Sequence, residues 1–111
     1  MAYDDVAWDE ENPFPGTLYN KMGGPNYYDG CKIDYSGSDL HKENFFAILK
    51  GDQLSLNLSA KSNSTRRVLN TNENSRVFLY FSDHGAPGHI MFPESLIFAD
   101  ELNATIGDMY E

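Results

Sequence analysis

Val77-Phe78-Leu79-Tyr80-Phe81 is apolar at every position, with none of the alternation that marks a half-exposed strand. Such a run predicts a strand buried on both faces, the habit of parallel sheets covered by helices. Upstream, Leu40, Phe45, Ile48 and Leu49 recur at helical spacing between Ser38 and Gly51, with Phe46 beside them. Asp39 is placed to start that helix and Gly51 to stop it as a left-handed cap, with Lys50 in the last turn. His89–Phe92 reads as a second short strand ended by Pro93. Leu102, Ile106, Met109 and Tyr110 form a second helical stripe from Asp100 to Glu111, one that the chain's last residue cuts. Thr17–Tyr19 predicts a short strand in an irregular hairpin excursion through Gly23-Gly24-Pro25 and Asp29-Gly30. The expected architecture is α/β, a mostly parallel sheet flanked by helices. Two helices cannot cover both faces of such a sheet, so residues 1–111 read as an incomplete domain.

Composition narrows the function. The chain has 111 residues, 41% of them hydrophobic, including seven Phe, seven Tyr and one Trp. That supports a modest core, and a domain this short buries only roughly two-thirds of its unfolded surface. A net charge of −9 argues against nucleic acid as a main partner, because phosphate binding needs a basic footprint. It also argues against an electrostatic membrane anchor, and no apolar run is long enough to span a bilayer. Cys31 is the sole cysteine, which rules out an intrachain disulfide framework and a cysteine-rich zinc module. The N-terminal residues lack the basic and apolar regions of a signal peptide. Asp4, Asp5, Asp9, Glu10 and Glu11 belong to a solvated, acidic, turn-rich segment over residues 1–16, and their spacing is not that of an EF-hand. Residues 52–76 read as a polar surface loop with a short helical turn. That loop carries the basic cluster Lys61, Arg66, Arg67 and Arg76 and two N-glycosylation sequons, at Asn57 and Asn63. Asn103-Ala104-Thr105 is a third. No cofactor is implied, and no metal site.

Chemistry is expected where the apolar strand ends. Catalytic groups in open α/β sheets gather beyond the carboxyl ends of strands, and Ser82-Asp83-His84-Gly85 occupies such an end. An imidazole with an unperturbed pKa of about 6.5 suits proton transfer near neutrality. The glycine after it lets a backbone N–H approach a developing oxyanion. The competing reading of His84 is a loop histidine bonded to a carboxylate. The chain offers poor nucleophiles for such a base: Ser82 lies outside any G-x-S-x-G elbow, and Cys31 has no local nucleophile signature. A metal site built from Asp83, His84 and His89 is disfavoured, since His-x4-His across a loop and strand does not fix ligand geometry.

Six stretches carry a family resemblance. They are Met1–Ala7, Asn12–Gly16, Asp34–Leu40, Asn44–Asp52, Val77–Gly85 and Asp100–Ile106. In this order they resemble the legumain family of asparaginyl endopeptidases, within the clan of caspase-like cysteine proteases. The resemblance implies a caspase-like fold, with residues 1–111 forming part of one catalytic domain. It implies a cysteine-type endopeptidase that hydrolyses peptide bonds after asparagine, in proteolysis and protein processing. His84 becomes the catalytic histidine, Gly85 the oxyanion N–H donor, and Asp83 a residue able to form a succinimide linked to peptide-ligase activity. The nucleophilic cysteine would lie beyond Glu111, and the histidine-orienting asparagine and a specificity arginine before Met1. On that reading the 111 residues alone are inactive, and Cys31 is not labelled by an asparagine-based electrophile. Implied partners are Asn-containing proteins or peptides and cystatin-type inhibitors. The implied location is the lysosome or vacuole, or secretion, with Asn57, Asn63 and Asn103 glycosylated. The sequence departs from the family pattern at Cys31, at Ser82 in place of a common threonine, and at His41 in place of a helix-capping threonine. Two alternatives are the catalytic subunit of the glycosylphosphatidylinositol transamidase, disfavoured by Asp83, and a truncated noncatalytic binding or decoy protein.

Overall fold

The apolar stripe between Ser38 and Gly51 does form a helix, but a shorter one than its pattern suggests. In the computed structural model, which describes residues 1 and 5–110, Gly37–Asp39 is a 3₁₀ turn and the α-helix spans only Lys42–Leu49. Since a short helix Asp5–Trp8 precedes it as α1, this helix is α2. Asp39 does not start α2, because its carboxylate is committed elsewhere. Asp39 is 3% exposed and accepts the Ser59 N–H at 2.8 Å and the hydroxyls of Ser62 and Ser64. Burial alone would raise the pKa of Asp39, but these donors and nearby His41 outweigh it and hold the carboxyl below its ordinary value. The end of α2 follows the sequence. Gly51, at φ +72°, donates to the Ile48 carbonyl, and Asp52 donates to Ala47, the two bonds of a Schellman cap.

Behind α2 lies the core: Tyr35, Leu40, Phe45, Ala47, Leu49, Leu56, Phe92 and Ile97. Phe45 packs its ring 5.6 Å from Phe92 and 6.3 Å from Phe81. Asn44, fully buried, ties α2 to the polar loop. Its amide donates to the carbonyls of Asp39 and Asn57, and its oxygen accepts the Asn57 N–H. That loop is mostly irregular with a few short turns, and has no helix in residues 52–76.

The sheet differs from expectation. Its strands β1 (Gly85–Ala86), β2 (His89–Phe92) and β3 (Ser95–Phe98) run in the order β1-β2-β3, antiparallel throughout. The register pairs Gly85 with Ile90, Ile90 with Ile97, and Phe92 with Ser95. The connections explain the direction. Pro87-Gly88 and Pro93-Glu94 are two-residue links, which can join only antiparallel neighbours, whereas a parallel pair needs a crossover of a dozen or more residues. His89–Phe92 is the strand expected, and β3 is an addition.

Val77–Phe81 forms no strand, and its apolar side chains are largely uncovered: Phe78 is 89% exposed and Tyr80 78%. A strand buried on both faces needs neighbouring strands on its edges and layers over its faces. Among the described residues nothing pairs with it, and only Phe81 reaches the core. Thr17–Tyr19 is likewise not a strand. The Leu18 carbonyl accepts the Tyr27 N–H, but the Leu18 N–H goes to the Asn26 side chain, so a carboxamide replaces the second ladder bond and leaves an irregular hairpin.

The second stripe forms α3, Ala99–Asp108, capped at Met109. It is not cut by the last residue, and Glu111 itself lies outside the described residues, as do Ala2–Asp4 of the N-terminal motif. Leu102 and Met109 pack on the core and Thr105 is buried, while Ile106 and Tyr110 face solvent. Lys42 on α2 meets Glu101 on α3 at 2.7 Å, and Glu101 also accepts the Phe98 N–H at the helix start. Both bonds lower the Glu101 pKa, Lys42 contributing most, and the same pair raises that of Lys42.

Candidate active site

Ser82-Asp83-His84-Gly85 is held from both sides by its neighbours. On one side Phe81 stacks on Phe92 with ring centroids 6.1 Å apart. On the other, the Met91 N–H of β2 donates to the His84 carbonyl at 2.8 Å, and the chain continues directly into β1. The Pro87-Gly88 link has proline first and a glycine at φ +84° second, as a type II turn requires. The Gly88 carbonyl accepts the Ala99 N–H, which fastens the hairpin to α3. The His84 backbone is therefore fixed, while its imidazole is exposed and has no hydrogen-bond partner among the described residues. A carboxylate-bonded loop histidine would look different, because Asp83 turns its Oδ1 to the His84 backbone N–H, at 2.6 Å, and not to the ring.

Gly85 sits where the ladder leaves its N–H unclaimed. Antiparallel residues alternate between positions that exchange hydrogen bonds and positions that do not. The Met91-to-His84 bond makes residue 84 a bonded position, so Gly85, opposite Ile90, directs its N–H off the outer edge of β1, where no strand among the described residues pairs. A Cβ at Gly85 would lie 3.2 Å from the His89 carbonyl oxygen and 3.7 Å from the Ile90 Cα, so the close strand approach leaves little room for a side chain. Consecutive residues thus present an accessible proton-transfer group and a free backbone donor, the elements of acid–base and oxyanion chemistry.

The other sequence candidates are not drawn in. Ser82 is exposed. Cys31 is exposed too, its thiol donating to the Tyr27 carbonyl at 3.1 Å, and no contact among the described residues links it to 82–85. The His89 ring packs 5.7 Å from Phe98, and no three His, Cys, Asp or Glu side chains converge among the described residues. Asn57, Asn63 and Asn103 are all exposed. No helix among the described residues is long and apolar enough to cross a membrane.

A cavity of about 440 Å³ lies against α2 and reaches Ser82 and Asp83, with Phe45, Phe78, Tyr80 and Phe92 in its wall. A larger groove of about 1020 Å³, around Phe14, Tyr19 and Met22, shares no residue with the histidine loop. What sequence reasoning missed at the site is the hold of β2 and β3 on His84. Two quartets with three apolar residues each, Ile90–Phe92 and Leu96–Phe98 preceded by His89 and Ser95, are separated only by Pro93-Glu94 and carried that signal, as the spacing of a tight hairpin.

The sequence model of the peptidase C13 family matches residues 1–111. The chain is 42% identical to rat (Rattus norvegicus) legumain over 111 residues, covering all of this chain and 25% of the relative. It is 40% identical to the hemoglobinase of Schistosoma mansoni over 106 residues, 96% of this chain and 23% of that protein. It is 38% identical to the vacuolar-processing enzyme of Vicia sativa over 107 residues, 96% of this chain and 21% of that protein. The chain spans about a quarter of the length of the curated relatives it matches.

Proposed function

This chain belongs to the peptidase C13 family, and we propose from that membership that it is the histidine-bearing part of the catalytic domain of a cysteine endopeptidase cutting after asparagine. The observation that carries this reading is the exposed His84 imidazole beside Gly85, whose N–H points off the sheet. The nucleophilic cysteine is supplied by the rest of the full-length protein, and His84 takes its thiol proton. The sulfur then bonds to the carbonyl carbon of the asparagine residue while the Gly85 N–H donates to the oxyanion. The imidazolium gives its proton to the leaving amine as the C–N bond breaks. Water, deprotonated by His84, releases the acid and restores the thiol.

Asp83 serves a second chemistry at the same place. Its carboxyl already lies against the His84 N–H, so attack of that nitrogen on the carboxyl carbon, with loss of water, closes a succinimide. In the full-length protein Val77–Phe81 becomes a strand of a mostly parallel, caspase-like sheet. Its largely uncovered apolar side chains support this, since Phe78 and Tyr80 are mostly exposed among the described residues. The similarity to a vacuolar-processing enzyme and the exposure of three sequon asparagines support a lysosomal, vacuolar or secreted location.

The test is turnover of an Asn-containing peptide by the full-length protein and its His84→Ala variant. Loss of a positioned general base slows such a reaction by about 10²- to 10⁴-fold. An unchanged rate would reduce His84 to a structural loop residue.

A further inference from the structure

Residues 70–76, Asn70-Thr71-Asn72-Glu73-Asn74-Ser75-Arg76, place three asparagines within one loop, none of them in a sequon. Every residue from 70 to 76 is exposed, and this loop lies before the Val77–Phe81 segment that the full-length protein covers. Exposed loops of small polar residues with few contacts are where proteases nick folded proteins, because the chain there can be drawn into an extended form at little cost. We propose that this loop is a substrate of the enzyme's own kind of active site, cut between Asn74 and Ser75 by a second copy of the full-length protein. The proposal rests on the asparagine-directed reading given above.

The three asparagines are not equivalent. Asn70 follows Val68 and Leu69, which pack on the core, and the Leu69 N–H is bonded to the Ile48 carbonyl at 3.0 Å. A cut after Asn70 requires that anchor to be pulled away. The Asn72 carboxamide is engaged, its Oδ1 accepting the Asn74 N–H at 3.0 Å. The Asn74 carboxamide has no hydrogen-bond partner among the described residues, and exposed residues lie on both sides of it. Entry of Asn74 into an active site needs only the 72–75 turn to open. That turn is held at the surface by the Ser75 N–H on the Asn72 carbonyl, at 2.8 Å, and by the Asn72 side chain. The exposed asparagine at 20 is less suited, because Leu18, just before it, has both backbone groups bonded to the 26–27 segment.

The reaction is hydrolysis: the Asn74–Ser75 C–N bond breaks, water supplies the hydroxyl to the new carboxyl, and its proton goes to the new Ser75 amine. The two pieces stay together. Phe45 remains packed on Phe81 and Phe92 across the cut, and Lys42 remains bonded to Glu101. The product is a nicked, associated two-chain form that keeps His84 in its hairpin.

The experiment incubates the full-length His84→Ala protein, as substrate, with catalytic amounts of active full-length protein. New N-termini are sequenced by mass spectrometry, and Asn-peptide turnover is measured in the same tubes. The expected result is a terminus at Ser75, retention of both pieces in native mass spectrometry, and slowing of about 100-fold in a His84→Ala/Asn74→Gln substrate. The last figure reflects the discrimination a binding pocket achieves against one extra methylene. Peptide turnover with an intact Asn74–Ser75 bond, or with cleavage only after Asn70, would overturn this inference alone. No peptide turnover at all would overturn the functional reading on which it rests.

Discussion

Asn44 joins α2 to the polar loop through three hydrogen bonds, and removing it tests whether that joint holds the loop. The residue is fully buried, its amide donates to the Asp39 and Asn57 carbonyls at 2.8 Å each, and its oxygen accepts the Asn57 N–H at 2.8 Å. Asn44→Ala removes all three bonds. At about 1 kcal/mol net for each, the loss is about 3 kcal/mol, a large share of the ~5–15 kcal/mol that typically holds a protein folded. The loss falls locally, so the sharpest assay is hydrogen–deuterium exchange at the Asn57 amide in the full-length protein. At 1.4 kcal/mol per decade, that amide should exchange roughly 100-fold faster in the variant. Asn44→Asp keeps the acceptor for the Asn57 N–H but sets a buried charge against two carbonyl oxygens, and should lose at least as much protection. Exchange at Asn57 within about threefold of the parent in Asn44→Ala would falsify the view that these bonds hold the loop.

Asp39 sets an acid limit for the 59–64 segment. Its folded pKa lies below 3.8, so its contribution is fully present above 3.8 and is lost as the pH falls through the lower, folded value. Exchange protection at the Ser59 amide should fall with acid in the parent, and Asp39→Asn should lower it at neutral pH and flatten the dependence. Gly51→Ala combines a left-handed backbone with a Cβ 2.8 Å from the Leu69 carbonyl oxygen. It should cost about 2 kcal/mol or more, read as a lower urea midpoint. Glycosidase treatment of native material followed by peptide mapping should convert Asn57, Asn63 and Asn103 to Asp, and unmodified asparagine at all three would remove the sequon support for a secretory route.

Some features of this chain are local, and the sequence states them outright. The Schellman end of α2 at Gly51 and the stop of β2 at Pro93 each depend on a few adjacent residues whose backbone preferences admit few alternatives. Features that depend on distant partners were not legible. Asp39 looked like a helix start because its position fits one, but Ser59, Ser62 and Ser64, far along the chain, claim its carboxylate. Sheet direction was settled by two-residue links, not by the apolar run that suggested parallel strands. Val77–Phe81 marks the boundary between the two kinds of feature. Its composition fixes a preference for burial on both faces, because five adjacent apolar side chains have no polar side to offer water. Whether that preference is met depends on strands and helices packed against it, and among the described residues its last side chain, Phe81, packs its ring on Phe45 and Phe92 while Phe78 and Tyr80 stay exposed.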